Sequence, residues 1–305
     1  MSKLHFNADT PLYTSDGKGW RIDQFETVMH GLEAANKPLI LFVHGRGKEP
    51  SKSLKGGTFT KGLAVHKLEL GYDAKVLMFN WDAAFEGLHF LDRELPLSHT
   101  EAGAKALGAV LEALIKHSAA QPKAPKMALL AHSMGAVVVE KALEKGFWPG
   151  VKQLFSAVLL TQPDADDEGH SVWLNRLAQR EKVYVTINSD DQVLRRATDG
   201  RAPGHHALGL GLGTEQPLAP LATYIDISRM GALGNKDEDH EVFGKGAMNG
   251  QVYVCQFFEQ VLKGQPVLLD LASNVDGVER ELIYRLKSRH EPSKPCLKIP
   301  KLPGE

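Results

Sequence analysis

The chain has 305 residues, 43% of them hydrophobic and 24% charged, and its formal net charge is -1. That is enough ordinary globular composition to bury a sizeable core. It excludes the global electrostatic field with which a basic chain gathers nucleic acid or an anionic membrane surface.

Finer absences narrow the reading. The two cysteines, Cys255 and Cys296, permit one disulfide but no disulfide framework. The metal spacings C-x-x-C and H-E-x-x-H do not occur. The first nine residues, Met1 to Asp9, hold no apolar run of signal-peptide length. A run of about 18 apolar residues, the minimum for a spanning helix, is missing throughout. A cytoplasmic protein is expected, with signal-independent export as the other route, and the oligomeric state is not readable.

In chain order, residues 1–36 combine a turn, Ser15-Asp16-Gly17-Lys18-Gly19, with a helical stretch in which Phe25, Val28, Met29 and Leu32 share one face. Residues 38–43 are an unbroken apolar run, the signature of a strand buried on both faces of a parallel sheet. A helix is predicted over 57–70 and a strand over 74–81. An aromatic-rich loop runs from Ala83 to Leu97, followed by a long amphipathic helix over 99–117 with Ser98 as its N-cap. Strands are predicted at 127–131, 154–160, 182–188 and 223–228. Helices fall between them: one ending near Gly146, one around 170–180 and a short one through Leu194. Residues 203–221 form a loop rich in Gly, Leu and Pro. A polar loop over 231–246 leads to a helix at about 247–263. Strand alternating with helix in this way predicts an α/β fold on a mostly parallel sheet, with helices on both faces. A single domain over 1–263, with its core at about 38–263, is expected. Residues 264–305 read as an extension, with a short helix at 278–286 and a Pro/Lys-rich tail.

The chemistry centres on Ala131-His132-Ser133-Met134-Gly135, which follows an apolar strand and opens an apolar helix. That is the layout of a nucleophile elbow, in which small flanking residues let strand and helix approach across a tight turn. Here the pattern is A-x-S-x-G, with Ala in place of the first Gly. A serine hydroxyl needs an adjacent general base, and the oxyanion of an acyl-transfer intermediate needs two N–H donors. The Met134 amide is one candidate donor. The other is the Arg46 amide in His44-Gly45-Arg46-Gly47, at the end of the 38–43 strand. A phosphate-binding loop is excluded there, because Gly-Lys is followed by Glu49.

The orienting acid should follow the serine and precede the histidine. Asp191 and Asp190 lie just after the 182–188 strand, and Asp164 just after the preceding one. All are sited where carboxyl ends of strands present ligand-facing groups. Asp191 opens a helix, which favours it among the three. Among 13 histidines, His240 lies between the last strand and the last helix, the expected position for the base. His205, His206 and His170 are its rivals. His44 and His132 read as packing or hydrogen-bonding residues.

With these residues in place the chain resembles the α/β-hydrolase superfamily over about 38–263. Within it, it is similar to a bacterial esterase-like family catalogued as domain of unknown function 900. The resemblance rests on His44-Gly45, Phe79-Asn80-Trp81, Asp92, His132-Ser133-Met134-Gly135, Pro163-Asp164, Asp191-x-x-Leu194 and His240. It implies a Ser133–Asp191–His240 triad. Two stretches depart from the family pattern: Gln162 stands where Ala is frequent, and Arg46 to Pro50 replaces the usual oxyanion-loop sequence.

The expected activity is a serine esterase or lipase-like hydrolase acting on a small-molecule acyl ester or lipid, and it is expected to need no metal and no other cofactor. Apolar side chains for an acyl chain would come from Phe85, Leu88, Phe90 and Leu91, and from Leu208, Leu210, Leu212 and Leu218. Thioesters also fit this chemistry. The alternatives are a non-catalytic hydrolase-fold protein that binds a partner, and a secreted lipolytic effector.

Overall fold

The structure is a computed structural model, described here for residues 11–46, 60–83, 93–197, 201–212, 218–228, 240, 242–243, 252–267, 269–271 and 283–286. Its strands are β1 (Leu12–Tyr13), β2 (Gly19–Trp20), β3 (Leu39–Val43), β4 (Lys75–Phe79), β5 (Ala128–His132), β6 (Val158–Thr161), β7 (Val183–Ile187), β8 (Thr223–Asp226), β9 (Leu269–Leu271) and β10 (Ile283–Leu286). The helices are α1 (Phe25–Glu33), α2 (Thr60–Tyr72), α3 (Glu94–Ser98), α4 (Thr100–Ala120), α5 (Gly135–Glu144), α6 (His170–Ala178), α7 (Gln192–Ala197) and α8 (Val252–Leu262).

Among the described residues the strands form one ten-stranded sheet in the order β2-β1-β4-β3-β5-β6-β7-β8-β10-β9. From β4 through β10 every neighbouring pair is parallel. The outer pairs β2–β1, β1–β4 and β10–β9 are antiparallel. The period-2 alternation of a strand explains why these sequences are apolar without a polar face. In β3, Leu39, Leu41 and Val43 enter the core shared with α1, α4, α5 and α6, while Ile40 and Phe42 enter the core shared with α2 and α8. β4 divides in the same way, with Leu77 and Phe79 on the first face and Val76 and Met78 on the second.

The chain passes from β3 to β4 on one side and then returns to place β5 on the other side of β3. Loops leaving β3 and β5 therefore diverge, opening a crevice at the carboxyl ends of the strands. That is where His44 and Ser133 lie.

Several local expectations are corrected. Ile283–Leu286, predicted as helix within 278–286, is a strand parallel to β8, with Ile283 opposite Tyr224 and Arg285 opposite Asp226. Its branched and aromatic residues suit a pleat, and pairing with β8 overrides the helical spacing. Residues 278–282 and the 291–305 tail lie outside the described residues. Ser98 is not an N-cap: it closes α3, its hydroxyl donates to the Leu95 carbonyl, and His99 precedes α4. Strand β6 starts later than predicted because the Glu181 carboxylate accepts the Leu154 and Phe155 amides, holding that segment outside the ladder. The turn at residues 15–19 closes the hairpin β1–β2, whose two-residue strands carry almost no periodicity.

Candidate active site

Strand β5 delivers the chain to Ser133, where φ is +53°. An L-residue adopts this left-handed conformation at a cost, so the surroundings must enforce it. They do so through backbone. The Ser133 N–H donates to Thr161 O at 3.1 Å, and Ser133 O accepts the Asp164 N–H at 3.0 Å. Helix α5 then begins against the end of β3. A Cβ at Gly135 would lie 2.4 Å from Val43 O and 2.8 Å from His44 O, so only glycine permits this approach. Gly45 is squeezed in the same way, since a Cβ there would come within 2.8 Å of Ser133 Cβ. Gly135 and Gly45 are thus the residues that let the elbow and the β3 loop touch.

The β3 loop is braced from beneath. His44 is buried, its Nδ1 lies 2.7 Å from Gly45 O, and its ring stacks on Trp81. The Trp81 indole N–H donates to His44 O at 2.7 Å. His44 therefore packs and bonds the loop that carries Arg46, as its sequence position suggested. Met134 is the N-cap residue of α5, so its N–H precedes the first helical turn, among the donors that no intrahelical carbonyl can satisfy.

Asp191 and His240 come together: His240 Nδ1 is 2.7 Å from Asp191 Oδ2. Asp191 is fully buried at the start of α7. Its Oδ1 accepts the Val193 and Leu194 amides at 3.0 and 2.9 Å, a helix cap that fixes the carboxylate plane. Its Oδ2 also accepts the Gln162 Nε2 amide at 2.7 Å. The His240 ring packs 4.6 Å from that of His132, the residue before Ser133, which seats the imidazole against the elbow. The surroundings of His132 favour its neutral form. Burial, then the charges of His240 and His44, lower its pKa well below the usual histidine value, against a bond from Nδ1 to the Thr161 carbonyl.

The other candidate acids are placed differently. The Asp164 carboxylate is buried and gripped by arginines: Arg201 Nη2 donates to Oδ1 at 2.5 Å, Arg93 Nε lies 3.6 Å from Oδ1, and Arg46 Nε 3.8 Å from Oδ2. Arg93 and Arg201 also pair with Asp166. Asp190 is exposed, and its N–H donates to Asn188 Oδ1. Of the rival histidines, His205 pairs with Glu168 at 2.6 Å and His170 Nδ1 bonds Asp167 O. His206 joins its backbone to Asp167.

The arginine network has no local signature, because Arg46, Arg93 and Arg201 are dispersed along the chain. Gln162 was visible only as a departure from a family pattern. Of the apolar residues assigned to an acyl site, Leu208 is fully buried and Leu212 and Leu218 pack on the core, while Leu210 is half-buried. Phe85, Leu88, Phe90 and Leu91 lie outside the described residues, as do Asp92, Gly47 and Cys296. Among the described residues no group of three or more His, Cys, Asp or Glu is arranged to hold a metal ion, and no helix is long and apolar enough to cross a membrane.

A family described as alpha/beta hydrolase of unknown function (DUF900) matches residues 23–199. The chain belongs to this family. Ser133 and Asp191 fall inside the matched DUF900 region and His240 beyond it. Similar solved structures include a mutant of the esterase E40, 15% identical over 73% of this chain and 76% of that one, with a TM-score of 0.36. Another is carboxyl esterase 2 from the mycorrhizal fungus Tuber melanosporum, 14% identical over 75% and 79% of the two chains, with a TM-score of 0.40. At these scores neither bears on any residue of the DUF900 site. No curated protein matches the chain.

Proposed function

We propose that this DUF900 protein is a serine hydrolase that cleaves carboxylic esters through Ser133, His240 and Asp191. The observation that carries the reading is the 2.7 Å contact between His240 Nδ1 and the capped, buried Asp191 carboxylate, beside a serine held at positive φ. An Nδ1–H that donates to Asp191 leaves the Nε2 lone pair as the base. Nε2 takes the Ser133 proton as Oγ forms its bond to the acyl carbon. The oxyanion is held by the Met134 amide at the N-terminus of α5, where the helix dipole favours negative charge, and by the Arg46 amide of the β3 loop. The C–O bond to the leaving alcohol then breaks, and the alcohol takes the proton from Nε2. Water repeats the sequence in reverse: it gives a proton to Nε2, its oxygen bonds the acyl carbon, and Ser133 leaves with that proton. Asp191 orients the imidazole and stabilises its cation. The substrate is a small-molecule or lipid-like acyl ester, and the chemistry needs no cofactor.

The test is hydrolysis of p-nitrophenyl esters of increasing acyl length by wild type and Ser133→Ala, together with fluorophosphonate labelling. Labelling at Ser133 and loss of turnover in the variant are expected. Equal turnover in both proteins would sink the proposal and favour a binding role for the fold.

A further inference from the structure

Gln162 belongs to none of the roles above, yet its side chain sits between the acid and the segment that carries the base. It follows β6, is fully buried, and has φ of +46°. Its backbone is clamped on both sides. Its N–H donates to Thr186 Oγ1 at 3.0 Å, and residues 207–210 lie across its other side. A Cβ at Gly209 would fall 2.3 Å from the Gln162 carbonyl carbon, so this contact is backbone on backbone. The side chain therefore leaves a fixed origin.

From there Nε2 donates to Asp191 Oδ2 at 2.7 Å, while Oε1 faces the Val242 N–H at 3.4 Å. The orientation of the amide follows from its partners. Rotating it by 180° would set oxygen against carboxylate and N–H against N–H. Val242 is two residues from His240, and His240 bonds the same Asp191 oxygen. Asp191, His240, the chain to Val242 and Gln162 close a ring around that oxygen.

We propose that Gln162 is the positioning residue of the Ser133–Asp191–His240 site, setting both the placement and the basicity of His240. The proposal rests on the triad reading given above. By engaging Oδ2, the neutral amide donor takes up part of the negative charge that would otherwise stabilise an imidazolium at His240. By accepting from Val242, it anchors the segment that delivers the ring. Titratable groups facing His240 include Asp191, from the start of α7, and His132, from the end of β5. His44 acts on His132 from the β3 loop. Gln162 and His240 bond the same oxygen of Asp191, so Asp191 is the charge that Gln162 modulates.

The experiment is a titration of the His240 imidazole by NMR in histidine-labelled protein, assigned by the resonance lost in His240→Asn. It is run on wild type, Gln162→Leu and Gln162→Glu. Leu removes both bonds at similar size; Glu keeps an acceptor for Val242 and, sharing one proton with the buried Asp191 carboxylate, still donates to Oδ2. The His240 midpoint is expected to rise by about half a pH unit or more in Gln162→Leu and by less in Gln162→Glu. The acid limb of kcat/KM should move with it, with kcat falling roughly tenfold in Gln162→Leu and KM little changed. A midpoint unchanged in both variants overturns the proposal, whatever happens to stability. Equal ester hydrolysis by wild type and Ser133→Ala would instead overturn the triad reading, while the imidazole titration would still decide the role of Gln162.

Discussion

Asp191→Asn is the change whose consequence can be followed atom by atom. The asparagine oxygen can replace Oδ1 and keep the Val193 and Leu194 amides, and Asn caps a helix as well as Asp does. The loss falls on Oδ2, which becomes an NH2 facing the Gln162 and His240 donors. To regain a bond, the imidazole must move its proton from Nδ1 to Nε2, which in the proposed mechanism removes the lone pair that serves Ser133. The same exchange in a characterised triad costs about 10⁴ in kcat, which is about 5.5 kcal/mol of transition-state stabilisation. Stability should fall far less, by about 1–3 kcal/mol for the hydrogen bonds left mismatched. The assay is kcat for a p-nitrophenyl ester, corrected for the Ser133-independent rate, beside a urea melt of each variant. Asp190→Asn should stay within about twofold of wild type, since exposed positions seldom matter. Retention of more than a tenth of wild-type turnover by Asp191→Asn would refute the argument. So would equal damage from Asp164→Asn without a stability loss.

Other outcomes follow from the packing. Gly135→Ala forces a methyl group to within 2.4 Å of Val43 O, so it should lower stability by about 1–3 kcal/mol and shift Ser133, read as a lower Tm with reduced fluorophosphonate labelling. Asp164→Ala leaves Arg46, Arg93 and Arg201 without their shared carboxylate, and a urea melt should show a loss of about 3–5 kcal/mol; a change under 1 kcal/mol would remove the network as a source of stability. His117 is buried between Glu26 and Glu33, at 2.8 and 2.7 Å. Burial alone would lower its pKa, but the two carboxylates overcome this and raise it. Its stabilisation is therefore complete below the unfolded histidine value near 6.5 and fades as pH rises through the folded value. The Tm difference between wild type and His117→Gln should be largest at acid pH and shrink at alkaline pH, and a difference independent of pH would refute it.

What could be read from the sequence was whatever depends on local pattern. The buried strands β3, β4, β5 and β7 are continuous apolar runs, and such runs survive any tertiary context that covers both faces. The elbow was legible because its constraint is steric and local: Gly135 must be small for the helix to meet β3. Asp191 was favoured because it opens a helix, and the same capping amides now fix its carboxylate. Relations across the chain were not legible. Asp164 had the position of an acid, but its partners come from residues 46, 93 and 201, which nothing in the spacing connects. Gln162 reaches Asp191 and Val242 from another strand end, and a lone glutamine carries no signature. Ile283–Leu286 is illegible for a related reason, since a four-residue segment takes its structure from the strand it meets.

That last strand has a consequence for dissecting the protein. β10 covers the flank of β8, and β9 finishes the sheet as a short antiparallel border, as β1 and β2 do on the opposite side. A fragment ending at residue 263 would keep Ser133, Asp191 and His240 yet remove the partner that β8 (Thr223–Asp226) has in β10, leaving a row of open amides and carbonyls. Such a row recruits other chains. The fragment should therefore self-associate, and the residues that govern its solubility are not those that would do its chemistry.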